Sequence, residues 1–340
     1  MKRFACILIC AAAVAGLDQI RAADKTETKK PRAKTTTFTP RLSKGDRFVL
    51  EITRGRTQTG RPAMAKTKGF QAIEVEILNA DEKNVLIGWT SRKTGILDPS
   101  GKPIALPPQA AGLATIFDGV QMIFELSPKY EMIGLKNIEQ IRPIVTKAID
   151  KTLAVMNRSR EDKTKIRQTV VGMLSSRKTI EQICNQQITL LLATAQLKLE
   201  GDLDSNAASE TDCEFPMPMS GGVIPAKIAT KVTNVDRASK RATLTMNTKM
   251  DPEKAARAML AAMQAIARKT GRPAPTEKDL PKVDIRDVRT YVIDLKTNLP
   301  LSAEHTRTTA VGGKKRTDTV KIVRKPAKAT VQSPSATPPE

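Results

Sequence analysis

Residues 73–89 read Ile73-Glu74-Val75-Glu76-Ile77-Leu78-Asn79-Ala80-Asp81-Glu82-Lys83-Asn84-Val85-Leu86-Ile87-Gly88-Trp89. Ile73, Val75 and Ile77 alternate with Glu74 and Glu76, a polar Asn79–Asn84 stretch follows, and Val85, Ile87 and Trp89 resume the period of two. A period of two places alternate side chains on opposite faces of a strand, so the segment predicts a β-hairpin with one buried face. The same pattern lies upstream, where Phe48, Leu50 and Ile52 alternate with Val49, Glu51 and Thr53, and downstream at Val120, Met122, Phe124 and Leu126. Between these strands, residues 98–112 read as a Pro- and Gly-rich loop.

Helical spacing takes over in the middle. Ile138, Ile141, Val145, Ile149 and Leu153 form a stripe behind a cap at Asn137, with Gln140 three residues on. A second run from Arg160 to Leu199 breaks at Ser175 and Ser176. Its later half carries Ile180, Cys184, Gln187, Leu191 and Thr194 on one side. Strands return with Ile224, Ala226 and Ile228, Asp251 and Pro252 open another helix, and Val288–Leu295, Leu299–Thr309 and Thr317–Arg324 end the chain as a meander.

The expected fold is therefore α+β: a mainly antiparallel, curved β-sheet built from hairpins, with a helical insertion over 137–199 and a further helix near 252–268. One domain spans 41–325, flanked by disordered segments at 24–40 and 326–340 that are too polar to bury a core. Ile73–Thr90 and Ile228–Met246 share an Asn-x-Asp turn start, which suggests two related halves, 41–135 and 220–325.

The N-terminus carries the address. Lys2 and Arg3 precede fourteen uncharged residues, Phe4 to Leu17, and small residues stand at Ala22 and Ala23. Residues 1–23 read as a cleaved signal peptide, which predicts a periplasmic or secreted protein with no transmembrane segment in the mature chain. The full chain carries a net charge of +22, and without residues 1–23 the balance is 54 basic to 34 acidic, or +20. Such a surface attracts anionic envelope polymers or lipid headgroups in a salt-dependent way. Nucleic acid is a poor fit, because only ten aromatic residues are available to stack on bases. Oligomeric state is not encoded in any of these patterns.

Candidate chemistry is sparse. Cys184 and Cys213 remain after the signal peptide leaves, and in an oxidising compartment they are expected to form a disulfide pinning a polar loop around Cys213 to the helix of Cys184. His305, the single histidine, sits on a predicted strand and is expected to face water. Ser175 and Lys178 match S-x-x-K, with K-T-G at Lys269, Thr270 and Gly271, the pairing through which a lysine activates a serine nucleophile. That triplet also occurs at Lys93, Thr94 and Gly95, which weakens the match. Asp202, Asp204, Glu210 and Asp212 gather in one polar stretch but lack the aromatic residues that sugar chemistry uses. No phosphate loop, C-x-x-C pair or calcium-loop spacing is present, so no cofactor or metal is expected. Met122, Phe124, Met217, Met219 and Met246 are apolar walls that serve equally as core or as the lining of a cleft.

Tyr291-Val292-Ile293-Asp294-Leu295-Lys296-Thr297-Asn298-Leu299-Pro300 resembles the Y-x-I-D-x-x-T-G-x-P hairpin of several bacterial secreted β-rich families, including uncharacterised envelope proteins and, more distantly, lipoprotein-carrier-like half-barrels. The resemblance covers about ten residues and implies a fold and an envelope setting, with no activity attached. Asn298 replaces the usual Gly, a mild change because Asn tolerates the left-handed conformation. The leading expectation is a non-enzymatic envelope protein that binds an apolar or anionic component. Its competitors are an envelope serine hydrolase built on Ser175 and Lys178, and a structural protein held electrostatically to anionic polymers.

Overall fold

The structure, a computed structural model, describes residues 21–22 and 35–327, apart from short stretches at 61–66, 107–110, 113, 157–158, 175, 196, 204–206, 217–222, 271–272, 277 and 279–281. In chain order the elements are β1 (Arg21–Ala22), β2 (Thr35–Thr37), β3 (Arg47–Gln58), β4 (Lys68–Ala80), β5 (Val85–Leu97), β6 (Pro103–Ile104), β7 (Gln121–Leu126), β8 (Met132–Leu135), α1 (Ile138–Ala154), α2 (Arg160–Leu174), α3 (Arg177–Leu192), β9 (Lys198–Glu200), β10 (Ala208–Pro216), β11 (Val223–Asp236), β12 (Arg241–Met250), α4 (Pro252–Thr270), β13 (Val283–Asp294), β14 (Leu299–Val311) and β15 (Lys314–Pro326). The fifteen strands form one curved antiparallel sheet that does not close. Its order is β2-β9-β10-β11-β12-β13-β14-β15-β3-β4-β5-β7-β8, with β1 beside β10 and β6 beside β5.

Two meanders meet at the β15–β3 pairing, where Ile322 faces Ile52 and Asp318 faces Arg56. One sheet face carries the buried set, including Leu50, Ile52, Ile73, Val75, Trp89, Phe124, Leu244, Tyr291 and Ile322, while alternate residues stay wet. The helices cover that buried face: α3 packs on β8 and β14, and α4 packs on β11 and β13. A half-solvated antiparallel sheet with helices on its apolar face is the α+β arrangement expected from the sequence.

Both hairpins singled out above place an irregularity at the same point. The register of β4 slips between Ile77 and Asn79, and that of β11 slips between Val232 and Asn234, in each case just before the Asn-x-Asp turn. Asp251 caps α4 through its Oδ1, which accepts from Glu253 N at 3.0 Å and Lys254 N at 3.1 Å. Asn298 adopts φ 56°, as the left-handed reading of its turn requires, and its backbone N–H donates to Asp294 O at 2.7 Å.

Asn137 behaves differently from the cap predicted for it. Its side chain makes no cap; its Oδ1 accepts from Ile123 N and its Nδ2 donates to Gln121 O, both at 2.9 Å, so it serves the backbone of β7. Residues 35–40, within the expected disordered linker 24–40, are ordered. Thr35–Thr37 pair with β9, Phe38 is buried, and Thr39 O accepts from Asn298 Nδ2 at 2.9 Å. Residues 1–20, nearly all of the predicted signal peptide, lie outside the described residues, as do residues 328–340.

Candidate functional site: an arginine band beside an apolar cleft

Strand pairing stacks the buried face into rows that run across the sheet. The first row is apolar in the centre: Leu244, Tyr291, Ala303, Ile322 and Ile52 follow one another from β12 to β3, and Gln71 continues it on β4. Two residues further along the strands the next row reads Met246, Arg289, His305, Val320, Arg54, Gly69 and Ile96. The row after that reads Thr248, Asp287, Arg307, Asp318 and Arg56. The sheet thus passes from core to charge within two steps along each strand.

Asp287 anchors the band. It is fully buried, and its Oδ1 takes Arg289 Nε at 3.1 Å while its Oδ2 takes His305 Nε2 at 2.7 Å and Arg307 Nε at 2.9 Å. Burial alone would raise its pKa, but Arg289, His305 and Arg307 outweigh burial and hold the carboxyl well below the usual range. Burial pushes His305 down, against the pull of Asp287 and with the push of Arg289 and Arg307, so the imidazole is neutral and its Nε2–H donates to Asp287. A second carboxylate, Asp318, takes Arg56 Nε through Oδ1 and Arg316 Nε through Oδ2, each at 2.6 Å. Five guanidinium groups therefore face two carboxylates and a neutral imidazole, a net charge of +3 on the inner face.

The fifth guanidinium is the exception. Among the described residues Arg54 has no carboxylate partner, and its buried Nε has no hydrogen-bond acceptor. Burial lowers its pKa, and its one electrostatic neighbour is the neutral thiol of Cys184 on α3.

Beyond Gly69 the row reaches a cleft of about 420 Å³ where β5 parts from β7 and meets β6. Phe70, Ile96, Leu97, Pro103, Ile104 and Leu106 give it apolar walls, and Lys93 adds a cation. Asp118 shapes this corner, accepting from Ser91 Oγ at 2.6 Å and from Thr94 Oγ1 at 2.9 Å.

Cys184 and Cys213 are free, buried thiols, so the expected disulfide is absent. Cys184 Sγ lies 3.9 Å from Met122 Sδ on β7, whereas Cys213 pairs with Ala226 between β10 and β11, on the other meander. Cys213 is on a strand rather than in a polar loop. Burial raises the two thiols to about 12 and about 11, which leaves them protonated and unreactive. His305, expected to face water, is 3% exposed inside the band. Lys178 is exposed in the first turn of α3, and Ser175 lies outside the described residues. Glu210 pairs with Lys227 at 2.9 Å on the β10–β11 hairpin, Asp202 is exposed, and Asp204 lies outside the described residues. Met122, Phe124 and Met246 are core, and Met217 and Met219 lie outside the described residues.

A titration test follows from the signs. His305 is neutral when folded but protonates near pH 6.5 when unfolded, so stability falls as pH drops from about 6.5 through its lowered native pKa. Asp287, depressed in the fold, adds a separate loss below about pH 4. His305→Gln should flatten Tm against pH between about 7 and 5 and keep the acid limb. An unchanged slope in the upper window would show that His305 already titrates freely in the fold.

No family model matches the chain, and no curated protein matches it in sequence. Among solved structures, one titled for lipid–protein interactions in lipovitellin matches over 86% of this chain at 10% identity, with a TM-score of 0.38. The chain spans about a quarter of that protein, 27% of its length.

Proposed function

We propose that the protein is a non-enzymatic binding protein of the bacterial envelope that takes up an apolar ligand, with the cleft between β5 and β6 as its seat. The observation that carries the reading is the cleft itself. Its volume of about 420 Å³ falls within the range of small-molecule sites, and its walls are apolar with a single cation. A periplasmic or secreted location rests on the predicted signal peptide. Lys178, standing exposed, lends no support to the serine hydrolase alternative.

The test is uptake of a neutral environment-sensitive dye, 1-N-phenylnaphthylamine, followed by fluorescence. Ile104 is 39% exposed at the cleft wall on a two-residue strand, so a charge there alters the cleft without disturbing the core. Ile104→Asp should weaken dye binding at least tenfold with an unchanged circular dichroism spectrum. Equal binding by both proteins would remove the cleft as the site.

A further inference from the structure

Arg54 is the residue that the ion-pair network leaves out. Arg289 and Arg307 pair with Asp287, and Arg56 and Arg316 with Asp318, while Arg54 stands between Val320 and Gly69 with no acid beside it among the described residues. Arg54 is half-buried with its Nε shut off from water, and a partly buried guanidinium without a counter-charge is costly, so it persists where something else supplies the charge. Its surroundings contain a second unsatisfied group. Gln187 on α3, one turn after the Cys184 that neighbours Arg54, is 4% exposed; its Nε2 donates to Gln71 Oε1 at 3.3 Å, but its Oε1 has no partner. Gln71 stands two residues from Gly69 on β4. A donor without an acceptor and an acceptor without a donor thus flank the same point beneath α3.

The chain also leaves a path from that point to the cleft. Arg54, Gly69 and Ile96 are consecutive in one row, so about 10 Å separates the arginine backbone from the cleft wall at the usual strand spacing. Gly69 contributes no side chain to the row, and a Cβ there would meet only Arg54, at 3.9 Å. We infer that the ligand is an anionic amphiphile, with an oxyanion headgroup held by Arg54 and Gln187 beneath α3 and an apolar tail passing over Gly69 into the β5–β6 cleft. The guanidinium fork matches the planar spread of oxygens on a phosphate or carboxylate. Below its second pKa of about 6 a monoester phosphate keeps one proton and would also donate to Gln187 Oε1. This inference rests on the cleft being the ligand site and adds the class of ligand.

The experiment is calorimetric titration of the full chain with decyl phosphate, 1-decanol and inorganic phosphate at low salt. Decyl phosphate should bind at least tenfold more tightly than either fragment. Arg54→Gln should abolish its advantage over 1-decanol and leave 1-decanol binding unchanged, while Arg54→Lys should keep part of it. Gly69→Val, whose backbone is unstrained, should reduce decyl phosphate binding at least tenfold by closing the path. Thermal melts guard against misfolding: Arg54→Gln should melt no lower than the parent, since it removes an uncompensated charge. Equal binding of 1-decanol and decyl phosphate by the parent overturns the headgroup inference and leaves the cleft reading standing. Failure of both to bind overturns the cleft reading itself. Inorganic phosphate binding as tightly as decyl phosphate, in an Arg54-dependent way, overturns the amphiphile in favour of a free-phosphate site.

Discussion

Asp287→Ala should destabilise the fold by about 3–5 kcal/mol at pH 7, the cost of removing one partner from a buried ionic cluster. Arg289 and Arg307 would then lose their shared counter-charge, and the nearest carboxylate left to Arg307, Asp318 on the neighbouring strand, already pairs with Arg56 and Arg316. Asp287→Asn should cost less, because the amide oxygen still accepts a hydrogen bond. Asp287→Ala combined with Arg289→Met should recover part of the loss, as apolar replacement of a buried ion pair is often close to neutral. Urea unfolding measures all three. A shift below about 1 kcal/mol for the single alanine variant would mean that the arginines reach water when released.

Trp89→Ala should be as damaging, at about 3–5 kcal/mol, through a different mechanism. Trp89 is 1% exposed on β5, paired with Val75 on β4 and Met122 on β7, and Met122 in turn meets Cys184 of α3. The indole therefore fills the layer between sheet and helix, and its loss leaves a cavity that rigid strands collapse into poorly. Trp89→Phe retains much of the volume and should cost less than half as much. Unfolding must be followed by circular dichroism, because the variant has lost the only tryptophan. A cost under about 1.5 kcal/mol would show that α3 settles onto the sheet when the ring is removed.

The hairpins, the break between α2 and α3, the cap of α4 and the left-handed turn at Asn298 were legible because each depends on neighbours in sequence. The arginine band was half-legible. Asp287 and Arg289 share the parity of Tyr291 and Ile293, and His305 that of Ala303, so the inward direction was written in the alternation. Charged residues at those positions break the apolar pattern, so the alternation alone marks a strand from Val288 where the structure has one from Val283. β10 was illegible for another reason: its Ser209-Glu210-Thr211-Asp212 stretch has no apolar period, and it is a strand because β11 pairs along its whole length. Neither the isolation of Arg54 nor the clearance at Gly69 can be read locally, because both depend on which strands become neighbours.

The joint between the two meanders also governs how the chain reaches this state. Residues 47–58 find their partner in residues 316–326, the final strand, and Arg56 and Asp318 meet across 262 positions of sequence. Loop closure over such a span adds little to equilibrium cost but delays the encounter, and non-local pairing of this kind is slow. The first meander therefore leaves synthesis with β3 unpaired along one side, and the sheet is completed only when the last strand inserts between β14 and β3. A chain assembled in that order carries an open strand edge on its apolar sheet, exposed to wrong partners, until residues 314–326 have been made.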